Sequence, residues 1–84
     1  MKLRLVVKNE GPTKTVEVHG ELLKDALSEL ERVCRPRTGL VIDLSNLRHV
    51  DATAATRLRE LSVSGVELVG ASHFINMLIE GERD

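Results

Sequence analysis

Leu40-Val41-Ile42-Asp43-Leu44-Ser45-Asn46-Leu47-Arg48-His49-Val50-Asp51 is the stretch on which the fold turns. Its first five residues are continuous and rich in branched side chains, the pattern of a strand covered on both faces. Asp43 interrupts that run, and its carboxylate needs partners if it is buried. Ser45 to Val50 leads out of the strand. Asp51 is a good N-cap for a helix that begins near Ala52. A strand feeding a helix in this way implies a crossover connection and a parallel neighbour.

Downstream, Ala54 or Ala55, Leu58 and Leu61 face inward from this helix, with Arg57, Arg59 and Glu60 facing out. Asp51 and Val66 lie about fourteen residues apart, room for three helical turns. Ser64-Gly65 stops the helix, and Val66-Glu67-Leu68-Val69 forms the next strand. Gly70-Ala71 turns the chain, and Ser72 caps a last helix with Phe74, Ile75, Leu78 and Ile79 as its buried face. Gly81 ends it.

Upstream, Leu23, Ala26, Leu27, Leu30, Val33 and Cys34 recur at three- and four-residue steps, one apolar stripe of an amphipathic helix. That helix ends at Arg35, because the residue before Pro36 disfavours helical backbone. Arg35 and Arg37 then stand near the negative end of its dipole. Before it, Leu3, Leu5 and Val7 alternate within Lys2–Val7, and Val16 and Val18 within Thr15–His19. These read as two antiparallel strands joined by a loop of several residues around Asn9-Glu10-Gly11-Pro12, with Gly20-Glu21 ending the second. The order is β-β-α-β-α-β-α. It predicts an α/β sandwich in which helices pack a mixed, largely parallel four-stranded sheet with right-handed crossovers, in one domain over residues 1–84.

Composition narrows the function. The 84 residues carry 12 Lys+Arg against 13 Asp+Glu and a single aromatic, Phe74. The balance gives no basic footprint for nucleic acid, and one ring makes no stacking platform for single strands. No apolar run is long enough to span a membrane. One cysteine, Cys34, forms neither an internal disulfide nor a cysteine-cluster metal site, and on the apolar stripe it reads as a small core residue. His19, His49 and His73 lack metal-ligand spacing. The expectation is a cytoplasmic protein without metal or cofactor.

Partners of an open α/β sheet meet it beyond the carboxyl ends of the strands. Two segments fall there: the turn around His19-Gly20-Glu21-Leu22, and Val50-Asp51-Ala52-Thr53-Ala54. The second opens a helix, whose unbonded amides and positive dipole end favour a negative charge.

At these segments the sequence resembles the STAS domains, the fold shared by anti-sigma factor antagonists and the tails of sulfate transporters. Val16-Glu17-Val18-His19-Gly20-Glu21-Leu22 is similar to the family's opening strand and Gly-Glu-Leu turn. Leu40 to Asp51 is similar to its third strand and Asp-Leu-Ser segment, and Val69-Gly70-Ala71-Ser72 to the turn into its third helix. The resemblance spans nearly the whole chain. It implies a bacterial, non-enzymatic protein–protein interaction module in transcription regulation. It also makes Asp43 a usual structural feature of the family, against an acid–base reading with His19 and His49.

The family's regulatory motif is Asp, then Ser or Thr, then Ser or Thr, then Gly, and its first hydroxyl is phosphorylated by a kinase that is also the anti-sigma factor. Here the motif reads Asp51-Ala52-Thr53-Ala54. Ala52 has no oxygen to accept a phosphoryl group, and Ala54 adds a methyl where the family leaves room for close backbone approach. The second helix is also shorter than the family's usual one. The resemblance therefore implies a short-form module that docks without the usual switch. Its expected contact residues are Glu21, Leu22, Asp51, Ala52, Thr53, Thr56 and Arg57, with Thr53 as a displaced phosphosite. The expected partner is an anti-sigma factor or kinase, or another STAS protein. The alternative partner is the ATPase of an ABC transporter of lipids or solutes, to which a Thr in this motif lends support in some STAS subunits. Against these stand plainer roles: Asp51 as a cap, Thr53 as an ordinary first-turn residue, and Arg35-Pro36-Arg37 as a helix end rather than an anion site.

Overall fold

The computed structural model describes residues 3–35 and 38–81. Two strands come first, β1 (Leu3–Glu10) and β2 (Thr13–Leu22), paired antiparallel with Glu10 opposite Thr13. The loop of several residues expected around Asn9-Glu10-Gly11-Pro12 is thus only Gly11-Pro12, with Gly11 in the left-handed region at φ 61°. A 3-10 turn (Lys24–Ala26) leads into α1 (Leu27–Val33). Then come β3 (Leu40–Asp43), β4 (Leu47–Val50), α2 (Ala52–Val63), β5 (Glu67–Val69) and α3 (His73–Glu80). The helix has ended by Arg35 as expected, with Cys34 as its C-cap, while Pro36 and Arg37, and with them the proline's part in that stop and the Arg37 dipole contact, lie outside the described residues, as does Lys2.

The sheet has five strands, in the order β1-β2-β3-β5, with β4 beside β2. The β2–β3, β2–β4 and β3–β5 pairs are parallel, so the largely parallel reading holds. The strand count does not: Leu47–Val50, expected to lead out of the third strand, is itself a strand. Its burial runs buried, exposed, exposed, buried, which matches neither the alternation of a half-buried strand nor the continuous apolar run of a covered one. The second strand is also longer than Gly20-Glu21 suggests. It continues to Leu22, because Glu21 and Leu22 find partners in His49 and Val50.

One face of the sheet carries the core. Val16, Val18, Leu22, Ile42 and Leu44 are fully buried with Leu30, Leu58 and Ile75 from the three helices. Burial of a side chain of this kind contributes about 1.5–3 kcal/mol. The other face is open. β3 alternates buried and half-buried, so it is covered on one face and not on both. Lys8, Glu17 and His19 share the open face, where Glu17 accepts from Lys8 at 2.8 Å and contacts His19 Nε2 at 3.0 Å. The Lys8 ammonium first, then His19, hold the Glu17 carboxyl below its ordinary value. The last helix docks through Ile75 and Ile79, and Phe74, expected on its buried face, is 53 % exposed. An eight-residue helix held at Ile75 and Ile79, with Leu78 packed partly buried beside them, leaves Phe74 on its shoulder in solvent. Leu23, first in the expected stripe, is likewise exposed because it precedes the 3-10 turn.

Between β3 and β4 the chain makes a tight kink. Asp43 Oδ1 accepts from Ser45 N–H at 2.9 Å and from Ser45 Oγ at 2.6 Å, an Asx turn that answers the question of the carboxylate's partners. Gly70 packs against this turn at φ 76°, and a Cβ built there meets Ser45 Oγ at 2.2 Å. Gly70→Ala is therefore expected to lose about 2–3 kcal/mol in urea denaturation, the left-handed strain plus the displaced turn. Gly11→Ala, left-handed but with nothing within 4 Å, is expected to lose about 1 kcal/mol. Equal losses would mean that the packing against Ser45 contributes nothing.

Candidate functional site

The two segments singled out at the strand ends meet in space. Gly20 pairs with Leu47, Glu21 with His49 and Leu22 with Val50. Asp51 then donates its backbone N–H to Leu22 O at 3.3 Å. Its carboxylate splits between two chain segments. Oδ1 accepts from Ala54 N–H at 2.8 Å and caps α2. Oδ2 accepts from Lys24 N–H at 2.8 Å, across 27 residues of sequence. The amides of Ala54 first, then of Lys24, hold the Asp51 carboxyl below its ordinary 3.8. Asp51 is thus a cap, as expected, and also a tie between the starts of two helical segments.

Beyond Asp51 the residues sort by helical phase. Ala54 and Ala55 are buried beneath α2, while Ala52, Thr53 and Thr56 are exposed on it. The Ala54 methyl is therefore part of the core. Arg57 is half-buried, not an outward-facing residue. Its guanidinium forks onto Glu31 of α1 through Nε and Nη2, the latter at 3.0 Å, and reaches Glu60 at 3.0 Å. Glu31 above all, then Glu60, raise its pKa and keep it charged. Leu22 is fully buried, so of the expected contact residues it is the one whose side chain belongs to the core. Glu21 is half-buried on the strand beside His49.

Ala52 and Thr56 stand between two depressions. One, of about 690 Å³, runs between α2 and α3 and is walled by Asp51, Ala55, Arg59, Met77 and Gly81. The other, of about 370 Å³, lies toward α1 and is walled by Leu27, Thr53, Arg57 and Glu60. Met77, 52 % exposed, Arg59 and Leu27 were not among the expected site residues. Met77 and Arg59 come from helix faces that the periodicity assigns to solvent, and only the packing of α3 on α2 turns them into a groove wall. Arg59 Nη1 donates to Ile79 O at 3.0 Å, closing one last-turn carbonyl of α3.

The arrangement offers an exposed, small-residue helix start flanked by two grooves. Among the described residues no group of three His, Cys, Asp or Glu side chains is placed to hold a metal ion, and no helix is long and apolar enough to cross a membrane. Comparison of the sequence with protein-family models and with curated proteins found no match.

Asp51→Ala is expected to lower stability by about 1–2 kcal/mol, the cost of a lost cap, with the orphaned Lys24 amide adding to it. The pH dependence follows from the depressed pKa. A carboxyl whose folded pKa lies below its unfolded value adds stability above about pH 4, lost as pH falls through the folded value. The gap in denaturation midpoint between the unaltered protein and Asp51→Asn should therefore narrow from pH 7 to pH 3. A gap independent of pH would show that the carboxylate charge is not what holds the rim.

Proposed function

We propose that the chain is a STAS-like, non-catalytic interaction module of the anti-sigma factor antagonist kind that docks a protein partner through the opening turns of α2. The observation that carries this reading is the first residue of α2. Ala52 is exposed at the rim directly after the capping Asp51, where a hydroxyl would be the phosphoryl acceptor in the family. The element order, the Asp43–Ser45 turn under Gly70 and the Asp51 cap support it too, as the resembling segments each carry a definite structural task. An alanine at that position makes the docking constitutive, controlled by the amount of protein rather than by a phosphoryl group. A phosphoryl on Thr53 would add a charge of about -1.5 to -2 beside the Asp51 carboxylate, whose repulsion opposes it.

The contact surface of this proposal is Ala52, Thr53 and Thr56, with Met77 and Arg57 at its flanks and Glu21 and Asp51 at its base. The runner-up partner is the ATPase of an ABC transporter. Its supporting observation is the exposed Thr53 hydroxyl beside the smaller groove. A transcription-regulatory, cytoplasmic setting belongs to the first reading.

A photo-crosslinking residue at Thr56, introduced in the native cell, tests the proposal. The expected adduct is a regulatory ATPase, an anti-sigma factor or another STAS protein, and Thr53→Arg should weaken its capture about tenfold or more, the scale of a central interface residue. An adduct to an ATP-binding cassette protein would favour the runner-up. No adduct, or one indifferent to Thr53→Arg, would contradict docking at this site. Ala52→Ser, incubated with a captured kinase, should become phosphorylated at the new hydroxyl while the unaltered chain does not.

A further inference from the structure

β1 is the long edge of the sheet, and among the described residues it pairs with β2 alone. Which of its backbone groups face outward follows from the ladder. Lys14 donates its N–H to Gly39 O, and Gly20 to Asn46 O, both on the side of β2 away from β1. Neighbouring residues of a strand point their N–H and C=O to opposite sides. Thr13, Thr15, Glu17 and His19 therefore serve β1, where their partners are Glu10, Lys8, Val6 and Arg4. That leaves the N–H and C=O of Leu3, Leu5, Val7 and Asn9 pointing outward.

Natural edges are blunted by bulges, prolines, lysines or shortness. The β1–β2 register runs unbroken from Leu3 to Glu10, and β1 contains no proline. Its one described lysine, Lys8, is neutralised by Glu17 at 2.8 Å. The opposite edge, β5, is only three residues long and is blunted by that alone. Val7, on the helix-covered face, is 40 % exposed.

We infer that β1 pairs antiparallel with β1 of a second copy of this chain, about a two-fold axis through Val7. Charge and the length of strand paired together select the occupant and the register, since a two-fold through Asn9 also sets Lys8 against Glu10 but leaves Leu3 to Val6 without partners on the second β1. With Val7 opposite Val7, Arg4 stands opposite Glu10, and the symmetry makes the pair twice. These are non-hydrogen-bonded positions, where side chains lie closest. A two-fold through Val6 sets Arg4 against Lys8, and one through Lys8 sets the two lysines against each other. Pairing through Val7 also covers its exposed side chain with its own counterpart. The contact is isologous and closes on itself, joining two five-stranded sheets without a fibre. One strand's width is a small interface, so the dimer is weak and exchanging. The inference does not rest on the proposed docking role of α2.

Sedimentation velocity from micromolar to millimolar protein tests it. The unaltered chain is expected to shift from monomer toward dimer. Arg4→Glu alone and Glu10→Arg alone should each weaken the dimer about tenfold, since two attractive pairs become repulsive. Mixing these two variants should restore association, because each supplies the charge the other lacks. The double variant should dimerise like the unaltered protein. Amide exchange gives a second reading: Leu5, Val7 and Asn9 should gain protection with concentration, whereas Val6 and Lys8 should be protected throughout. A chain that stays monomeric at millimolar concentration, or variants that associate equally in every combination, would overturn the inference.

Discussion

After Asp43 the chain leaves the edge of β2. Leu44 gives its N–H to Val69 O on the neighbouring strand at 2.8 Å, and Leu47 is the first residue to pair with β2 again. The detour is held by the Asp43–Ser45 turn and is possible only because Gly70 has no side chain to fill the space. Its consequence reaches the rest of the molecule. By breaking one strand into β3 and β4, it lets a single edge of β2 be covered in two stretches, residues 14–17 by Leu40–Asp43 and residues 20–22 by Leu47–Val50. It also delivers Asp51 to the end of β2, within reach of Leu22 O and Lys24 N–H.

The candidate site is a product of that delivery. A carboxylate that bridges two backbone amides fixes where α2 begins and which of its residues face out. Helical phase then does the sorting: Ala54, Ala55, Leu58 and Leu61 are committed to the core, and Ala52, Thr53 and Thr56 are left at the surface. The Arg57–Glu31–Glu60 cluster holds α2 to α1 on one side, and Arg59 holds it to the end of α3 on the other. The ridge between the two grooves is therefore held on both flanks, as the proposed docking role requires.

Much of this was legible in the sequence, and the exceptions have physical causes. Elements with strong periodicity or a capping side chain came out where expected: α2 from Asp51 to Ser64, and α3 from Ser72 to Gly81. β4 was invisible because only its two ends are apolar, so its existence depends on β2 being long enough to pair with it. The open face was misread for a related reason. Val41 and Leu40 are equally apolar letters, yet only one of them lies under helices. Asp51 was readable as a cap from its neighbours. Its second bond to Lys24 was not, because a contact across 27 residues leaves no local signature. The grooves were illegible for the same reason, since Met77 and Leu27 become walls only when the helices pack.

The proposed function joins a helix start of fixed geometry to a surface that lacks the hydroxyl through which the resembled family is switched. It holds that the protein works unphosphorylated, with Ala52 at the acceptor position and Asp51 repelling a phosphoryl group from Thr53. The intact mass of the protein purified from its native cell, with fragmentation across residues 51–56, tests this most directly. The account predicts an unmodified segment under every growth condition in which the protein is present. A phosphoryl group on Thr53 or Thr56 in a substantial fraction of the molecules would contradict it.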